Sequence, residues 1–134
     1  MLRKVTLICV GSLKKIYLKE LEKVYLNGIN LVTVRDSDMN CESEQILRIL
    51  YRSNSKFCVL FDLKGKRLEE CLRSIQNGYV TNENIFFIVG GSNGVNESLR
   101  RYCNVVVKLS NFTYSHQIFR ISSLIFIRDT LFKV

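Results

Sequence analysis

The stretch Ile85-Phe-Phe-Ile-Val-Gly-Gly-Ser-Asn-Gly-Val95 decides how this chain is interpreted. Its first residues are apolar and predict a buried strand, which runs into a glycine turn and then the start of a helix. A second unusual segment follows further along, Leu109-Ser-Asn-Phe-Thr-Tyr-Ser-His-Gln-Ile-Phe-Arg120. Together the two segments predict one ligand site, built from two loops at the same edge of a sheet.

Strands and helices alternate along the whole chain. Apolar, β-branched runs predict strands at residues 4–10, 29–34, 57–63, 84–89 and 104–109. Helical periodicity or a capping pattern predicts helices at 13–26, 42–51, 96–102 and 117–132, and one that leaves the turn at 64–67 and ends before Asn77-Gly78. The last helix is apolar almost all round, so we expect it to be buried or to lie at an interface. This pattern predicts a single α/β domain over residues 1–134, with a parallel sheet and helices on both faces.

Composition narrows the class of protein. The chain has 134 residues and is 47% hydrophobic, which suits one folded domain. No apolar run approaches the roughly 20 residues of a membrane span, and the N-terminal run is too short for a signal peptide, so a cytoplasmic protein is expected. The net charge of +8 favours a polyanionic partner such as nucleic acid, although a compositional habit of the source organism would give the same value.

The cysteines predict structural thiols. They number five, an odd count, with no Cys-x-x-Cys pair, and Cys9 and Cys58 fall inside predicted strands. A thiol in a strand behaves as a small apolar group, so we expect reduced, structural cysteines. With one histidine in the chain, a zinc site is not expected.

Each motif has a functional and a structural interpretation. At Gly90-Gly91-x-x-Gly94 the backbone can come close to a ligand, but a tight strand-to-helix turn needs the same glycines. The hydroxyl-rich loop 110–115 could hold an adenine against its aromatic groups, or simply cap the last helix. His116 could act as an acid, a base or a hydrogen-bond partner, or serve a structural role. Arg120 could approach a carboxylate, a phosphate or a partner subunit, or be a solvated surface residue.

Basic residues gather at the predicted carboxyl edge of the sheet. Lys64, Lys66 and Arg67 follow the third strand, and Lys14 and Lys15 follow the first. Ligands of parallel α/β sheets bind beyond this edge, so these side chains could hold RNA phosphates beside the pocket. Each of them taken singly is more typical of solvated surface.

The segments quoted above resemble those of the RlmH-type SPOUT methyltransferases. The opening Val10-Gly-Ser-Leu-Lys-Lys-Ile-Tyr17, the strand end Asp62-Leu-Lys-Gly-Lys66 and the two late motifs match that family, and the likeness covers almost the whole chain. The resemblance implies an S-adenosylmethionine-dependent enzyme that methylates N3 of a pseudouridine in large-subunit (23S) ribosomal RNA. It also implies a homodimer and a C-terminal trefoil knot, an exception to the rule that chains do not thread loops.

The resemblance implies roles for particular residues, carried over by position. Gly91 should support the glycine turn, and Arg120 matches an arginine that the family keeps in this helix. The chemistry of methyl transfer makes Arg120 a candidate for stabilising developing charge or positioning RNA, and His116 a candidate for proton movement. No metal is implied. The residues expected to contact the cofactor are Phe61, Gly90, Leu109, Ser110, Asn111, Phe112, Thr113 and Tyr114.

Three departures from the family pattern leave alternatives open. Ser115 stands where the family has proline, and Ile125 and the pair Arg128-Asp129 replace a glutamate and a Tyr-Arg pair. The sequence stops at Val134 without the family's Tyr-His tail, so we expect the cofactor half of the site to be better kept than the RNA half. One alternative is a homologue that binds cofactor or RNA without methyl transfer. Another is a flavodoxin-like nucleotide binder, for which Gly11-Ser-Leu-Lys-Lys15 makes a poor phosphate loop.

Overall fold

The computed structural model describes residues 4–109 and 115–132, which form one twisted sheet covered by helices. The strands are β1 (Lys4–Val10), β2 (Asn30–Val34), β3 (Lys56–Arg67), β4 (Asn84–Val89) and β5 (Val105–Lys108). The helices are α1 (Ile16–Tyr25), α2 (Met39–Tyr51), α3 (Leu68–Thr81), α4 (Glu97–Tyr102) and α5 (His116–Ile127), the last followed by a π-helical segment (Arg128–Phe132).

The sheet is parallel throughout, with strand order β2-β1-β4-β3-β5. The predicted α/β class and parallel sheet are therefore confirmed. Because every strand runs the same way, all five carboxyl ends meet at one edge, where loops after β1, β3 and β4 lie side by side.

Successive residues along each strand contribute in turn to two hydrophobic cores, one on each face of the sheet. On one face Leu7 and Phe87 pack with Ile75 of α3 and Leu124 of α5. This core explains why the last helix is so apolar, since α5 is covered by the sheet on one side and by α1 on another.

The opposite face carries α2 and α4. Here Ile8 and Ile88 of the central strands pack with Ile46 of α2 and Leu99 of α4. The side chains point alternately to the two faces, as the pleat of a strand requires. Of the helices in the two described ranges, none has both the length and the apolar character needed to cross a bilayer.

The third strand is longer than predicted. We expected it to end at residue 63 and to turn at 64–67, but β3 continues to Arg67. Phe61 and Lys66 both pair with Val107, so residues 62–65 bulge out and the strand then rejoins β5. At Gly65 a Cβ would lie 2.6 Å from the Val107 backbone nitrogen, so only glycine fits this close approach. Because the bulge is polar, its composition resembles that of a turn, and the strand was therefore predicted to end too early.

The third helix also runs past its predicted end. Asn77-Gly78 was expected to stop it, yet α3 continues to Thr81. Gly78 is buried under the ring of Phe57, and a Cβ there would lie 2.4 Å from the ring's Cγ. The glycine therefore serves packing between α3 and β3 rather than termination.

Candidate functional site

Two clefts open at the carboxyl edge of the sheet and share a wall. The first has a volume of about 440 Å³ and lies between the bulge of β3, the turn after β4 and the start of α5. Its lining residues are Phe61, Asp62, Leu63, Gly90, Gly91, Ser92, Gly94, Val95, His116 and Phe119.

The second cleft, of about 630 Å³, lies beside it between the loop after β1, the end of β2 and α5. Gly91, Ser92 and His116 line both clefts. The other lining residues of the second cleft are Val10, Gly11, Ser12, Lys14, Lys15, Tyr17, Leu18, Asp36, Ser115, Gln117 and Ile118.

The glycine turn after β4 forms the shared wall. The Gly94 N–H donates to the Gly91 carbonyl at 3.0 Å, and Gly94 has a φ of +80°, a conformation that glycine adopts without strain. A Cβ at Gly90 would lie 2.7 Å from Cγ1 of Val95. Gly90 and Gly94 are thus required by the turn itself, and the glycines together bring bare backbone to both clefts.

Phe61 forms an apolar part of the first cleft. Its side chain is buried, stacks on Phe87 with ring centroids 5.8 Å apart, and meets Phe126 edge-on at 5.7 Å. Beside it, Asp62 accepts a 2.9 Å hydrogen bond from Arg100, an ion pair that anchors the bulge to α4. This cleft therefore combines a rigid aromatic surface with open backbone groups.

His116 stands at the junction of the two clefts. Ser115 caps α5 by accepting from the Ile118 N–H, which sets His116 as the first residue of the helix. The half-buried ring has Nε2 3.5 Å from the Val10 carbonyl. Its part in proton movement stays a prediction.

Arg120 is enclosed between α5, α1 and the end of β1. Its Nε and Nη2 donate to the two carboxylate oxygens of Glu22 at 2.7 and 3.1 Å, and Nη1 donates to the Gly11 carbonyl at 3.0 Å. The residue is 2% exposed and lines neither cleft. Its expected contact with reacting atoms stays a prediction. In this structure the guanidinium N–H groups of Arg120 bind Glu22 of α1 and the Gly11 carbonyl.

Two carboxyl groups near the second cleft were not predicted as site residues. Asp36 lines the cleft, and Glu42 lies buried behind Gly91. Asp36 falls between the predicted strand at 29–34 and the predicted helix at 42–51, and Glu42 is the first residue of that helix. The available signal was the position of acidic residues directly after a strand whose carboxyl end faces the site.

The remaining predicted residues are divided among several places. Leu109 is half-buried and packs on the core with α5, and residues 110–114 lie outside the described ranges. Lys14 and Lys15 line the second cleft, whereas Lys64 and Lys66 line a separate one beside Arg100. The expected basic edge therefore consists of two groups on different sides of the site. Within the described residues, no cluster of three or more His, Cys, Asp or Glu side chains could hold a metal ion.

Fold and site together define the class of protein: a parallel α/β domain with two adjoining clefts at the carboxyl edge of its sheet. The sequence matches the family described as "Predicted SPOUT methyltransferase" over residues 3–125. The chain belongs to the SPOUT methyltransferase family, as the resemblance had indicated. This membership decides against the flavodoxin-like alternative.

Curated relatives of similar length carry the name ribosomal RNA large subunit methyltransferase H. The protein of Caldicellulosiruptor saccharolyticus is 29% identical, with 87% of this chain and 86% of that protein covered. The Fusobacterium nucleatum protein is 33% identical over the same shares, and the Malacoplasma penetrans protein is 31% identical over 88% and 87%.

A solved structure shares the fold. It is the SpoU methyltransferase AviRb from Streptomyces viridochromogenes in complex with the cofactor AdoMet, with a TM-score of 0.53 and 9% identity. The match covers 93% of this chain but 57% of that one, so this chain spans just over half of its length. At this identity the likeness concerns the fold alone.

Proposed function

We propose that this protein is an S-adenosylmethionine-dependent methyltransferase that acts on large-subunit ribosomal RNA, at N3 of a pseudouridine. The observation that carries the proposal is the first cleft, where the glycine turn and Phe61 meet in a chain of a methyltransferase family. The names of the relatives support the ribosomal substrate. The choice of nucleotide rests on the resemblance to the RlmH type.

The first cleft fits the cofactor. Its volume of about 440 Å³ lies within the range of roughly 300–1,000 Å³ typical of small-molecule sites. Exposed Leu63 offers apolar surface to an adenine beside the buried Phe61, and the backbone at Gly90 offers groups that can read its edge. Leu109 and residues 110–114 are proposed as further cofactor contacts, as the family resemblance implies. When bound, the cofactor supplies an electrophilic methyl group, and the chain's task is to orient the partners and exclude water.

The second cleft fits a nucleotide. Lys14 and Lys15 bring positive charge to it, and the Lys15 ammonium lies 5.7 Å from the ring centroid of Tyr17. Lysines attract RNA phosphates, and an exposed aromatic ring offers a stacking surface for a base. Because Gly91, Ser92 and His116 line both clefts, a base in the second would lie next to a methyl group in the first.

A homodimer would complete this site. Helix α1 exposes large apolar side chains to solvent, including Ile16 (75% exposed), Val24 (70%) and Tyr17 (63%), and Ile118 of α5 adds to the same side. Exposed apolar surface of this extent is typical of an interface. Tyr17 and Ile118 also line the second cleft, so a partner that covers α1 would wall that cleft as well.

The other expectations complete the proposal. The chain is proposed to act as a single domain in the cytoplasm, where ribosomes are its substrate, and to contain the C-terminal trefoil knot that the family resemblance implies. Arg120 is proposed to act by positioning: its bond to the Gly11 carbonyl fixes one side of the second cleft.

The experiment is methyl transfer to ribosomes that lack the modification. Purified protein, labelled S-adenosylmethionine and ribosomes from a strain with the gene deleted should yield one labelled pseudouridine, mapped by nuclease digestion and mass spectrometry. Calorimetry with the cofactor is run in parallel. Cofactor binding without transfer would support the binding-only homologue, and the absence of both would refute the proposal.

A further inference from the structure

The reaction proposed above needs a group that receives a proton, and this inference rests on that proposed function. An imide N3–H has to lose its proton as the nitrogen is methylated. Among the described residues that line the second cleft, Asp36 is the single acidic side chain. It is exposed to the cleft beside Gly11, where a Cβ would lie 3.9 Å from the Cβ of Asp36.

A second carboxyl group lies directly behind this wall. Glu42 of α2 is 3% exposed, and its Oε2 accepts a 2.9 Å hydrogen bond from the Ser37 N–H. Its Oε1 is buried without a hydrogen-bond donor and points at Gly91, where a Cβ would lie only 2.6 Å away. A buried acceptor that receives no hydrogen bond destabilises the folded protein, so its presence here needs a physical reason.

A protonated Glu42 would provide that explanation. Burial raises the pKa of the Glu42 carboxyl, and the neighbouring carboxyls of Asp36 and Asp38 raise it further against the Ser37 bond, which lowers it. Two ionised carboxylates offer acceptors only, whereas a protonated Glu42 has a proton to donate to Asp36. A proton shared between the two carboxyl groups would link Asp36, which lines the cleft, to Glu42 of α2 behind it.

We propose that Asp36 accepts the N3 proton during methyl transfer and that Glu42, which accepts from the neighbouring Ser37 N–H, is the positioning residue that holds Asp36 at the cleft. As the N–H bond breaks, its proton passes to an Asp36 oxygen and its electron pair stays on N3. N3 forms the new bond to the methyl carbon while the carbon–sulfur bond breaks and leaves its electrons on sulfur. Atoms and charge balance without any further reactant.

Other titratable groups lie near this pair. Asp38 lies on the same loop, but its carboxylate is occupied in capping α2 through the Cys41 N–H. Lys14 and Lys15 face the cleft from the loop after β1, and His116 faces it from α5. The glycine turn brings no titratable group among its described residues.

The first arm of the test needs no catalysis. In protein labelled with ¹³C at the carboxyl groups, the Glu42 signal should titrate above the ordinary glutamate range, and Asp36→Asn should lower its midpoint. An ordinary midpoint, or one that Asp36→Asn leaves unchanged, would overturn the pairing whether or not the protein methylates RNA.

The second arm measures single-turnover methylation of ribosomes together with cofactor Kd by calorimetry. Asp36→Asn should slow transfer by about 10²-fold or more, the usual contribution of a positioned base, and leave the cofactor Kd unchanged. Glu42→Ala should lose activity, and Glu42→Gln, which can accept from Ser37 and donate to Asp36, should recover most of that loss. Exposed Glu44→Gln on the same helix is the matched control.

The outcomes separate this inference from the proposed function. Wild-type turnover with an equally fast Asp36→Asn variant would overturn the inference alone. An acidic limb of the pH–rate profile that disappears in His116→Asn, but not in Asp36→Asn, would assign the proton to His116 instead. No turnover by the wild type would overturn both proposals.

Discussion

The buried ion pair between Arg120 and Glu22 gives the sharpest stability prediction. Arg120→Met removes three hydrogen bonds of the guanidinium, two to Glu22 and one to the Gly11 carbonyl. The Glu22 side chain is 10% exposed, so its carboxylate would stay largely buried with its countercharge gone. Loss of one partner of such a pair costs about 3–5 kcal/mol.

That loss is large for a domain of this size. Single domains have a free energy of unfolding of roughly 5–15 kcal/mol, so Arg120→Met should lower the melting temperature by roughly 10–20 °C. The double variant Glu22→Leu with Arg120→Met replaces the pair by apolar groups and should recover most of the stability. Urea unfolding of the wild type, both single variants and the double variant measures the coupling between the two positions.

The same four proteins decide what Arg120 does. If it acts only by positioning Gly11, the stable double variant should bind S-adenosylmethionine with wild-type affinity and keep measurable methyl transfer. If it touches reacting atoms, transfer should fail although stability returns. Arg67→Met is the matched control, because its pair with Glu70 is 69% and 49% exposed and should contribute at most about 1 kcal/mol. A loss for Arg120→Met as small as that of the control would refute the reasoning.

Four further predictions follow from single features. Gly65→Ala brings a methyl group to 2.6 Å from a β5 backbone nitrogen and should cost roughly 1–3 kcal/mol in urea unfolding; an unchanged midpoint would contradict the close approach. Tyr17→Glu should shift a dimer to monomers in analytical ultracentrifugation, and an unchanged sedimentation coefficient would rule out α1 as the interface. Cys41 is exposed, and its hydrogen bond with Asp38 raises the pKa of its thiol, so at pH 7 a disulfide reagent should label it more slowly than free cysteine; Cys41→Ser supplies the blank. Glu42→Gln should reduce the decrease in the free energy of unfolding that the wild type shows as the pH rises. Between the ordinary glutamate pKa and the raised one the folded protein keeps a proton that the unfolded chain has released, so the wild type loses stability across that window and the variant does not.

Local patterns in the sequence were sufficient for the α/β class and for the succession of strands and helices along the chain. The apolar run at residues 84–89 and the glycines that follow it gave the position of β4 and its turn, because a strand period and a glycine turn are local properties. The resemblance of the two late motifs identified the family, and two of the candidate site residues, Phe61 and His116, both line the first cleft. Element bounds were less accurate where Gly65 and Gly78 looked like breakers but serve close packing.

Tertiary structure alone decided which distant groups meet. Arg120 was a candidate for the site on sequence grounds, but its partner Glu22 lies 98 positions away on α1, and nothing in the local pattern of either helix specifies that pair. By sequence Glu42 is an ordinary glutamate in the first turn of a helix, and only the fold places it under Gly91. Periodicity fixes which face of an element is apolar, whereas the environment of a buried charge depends on how whole elements are stacked.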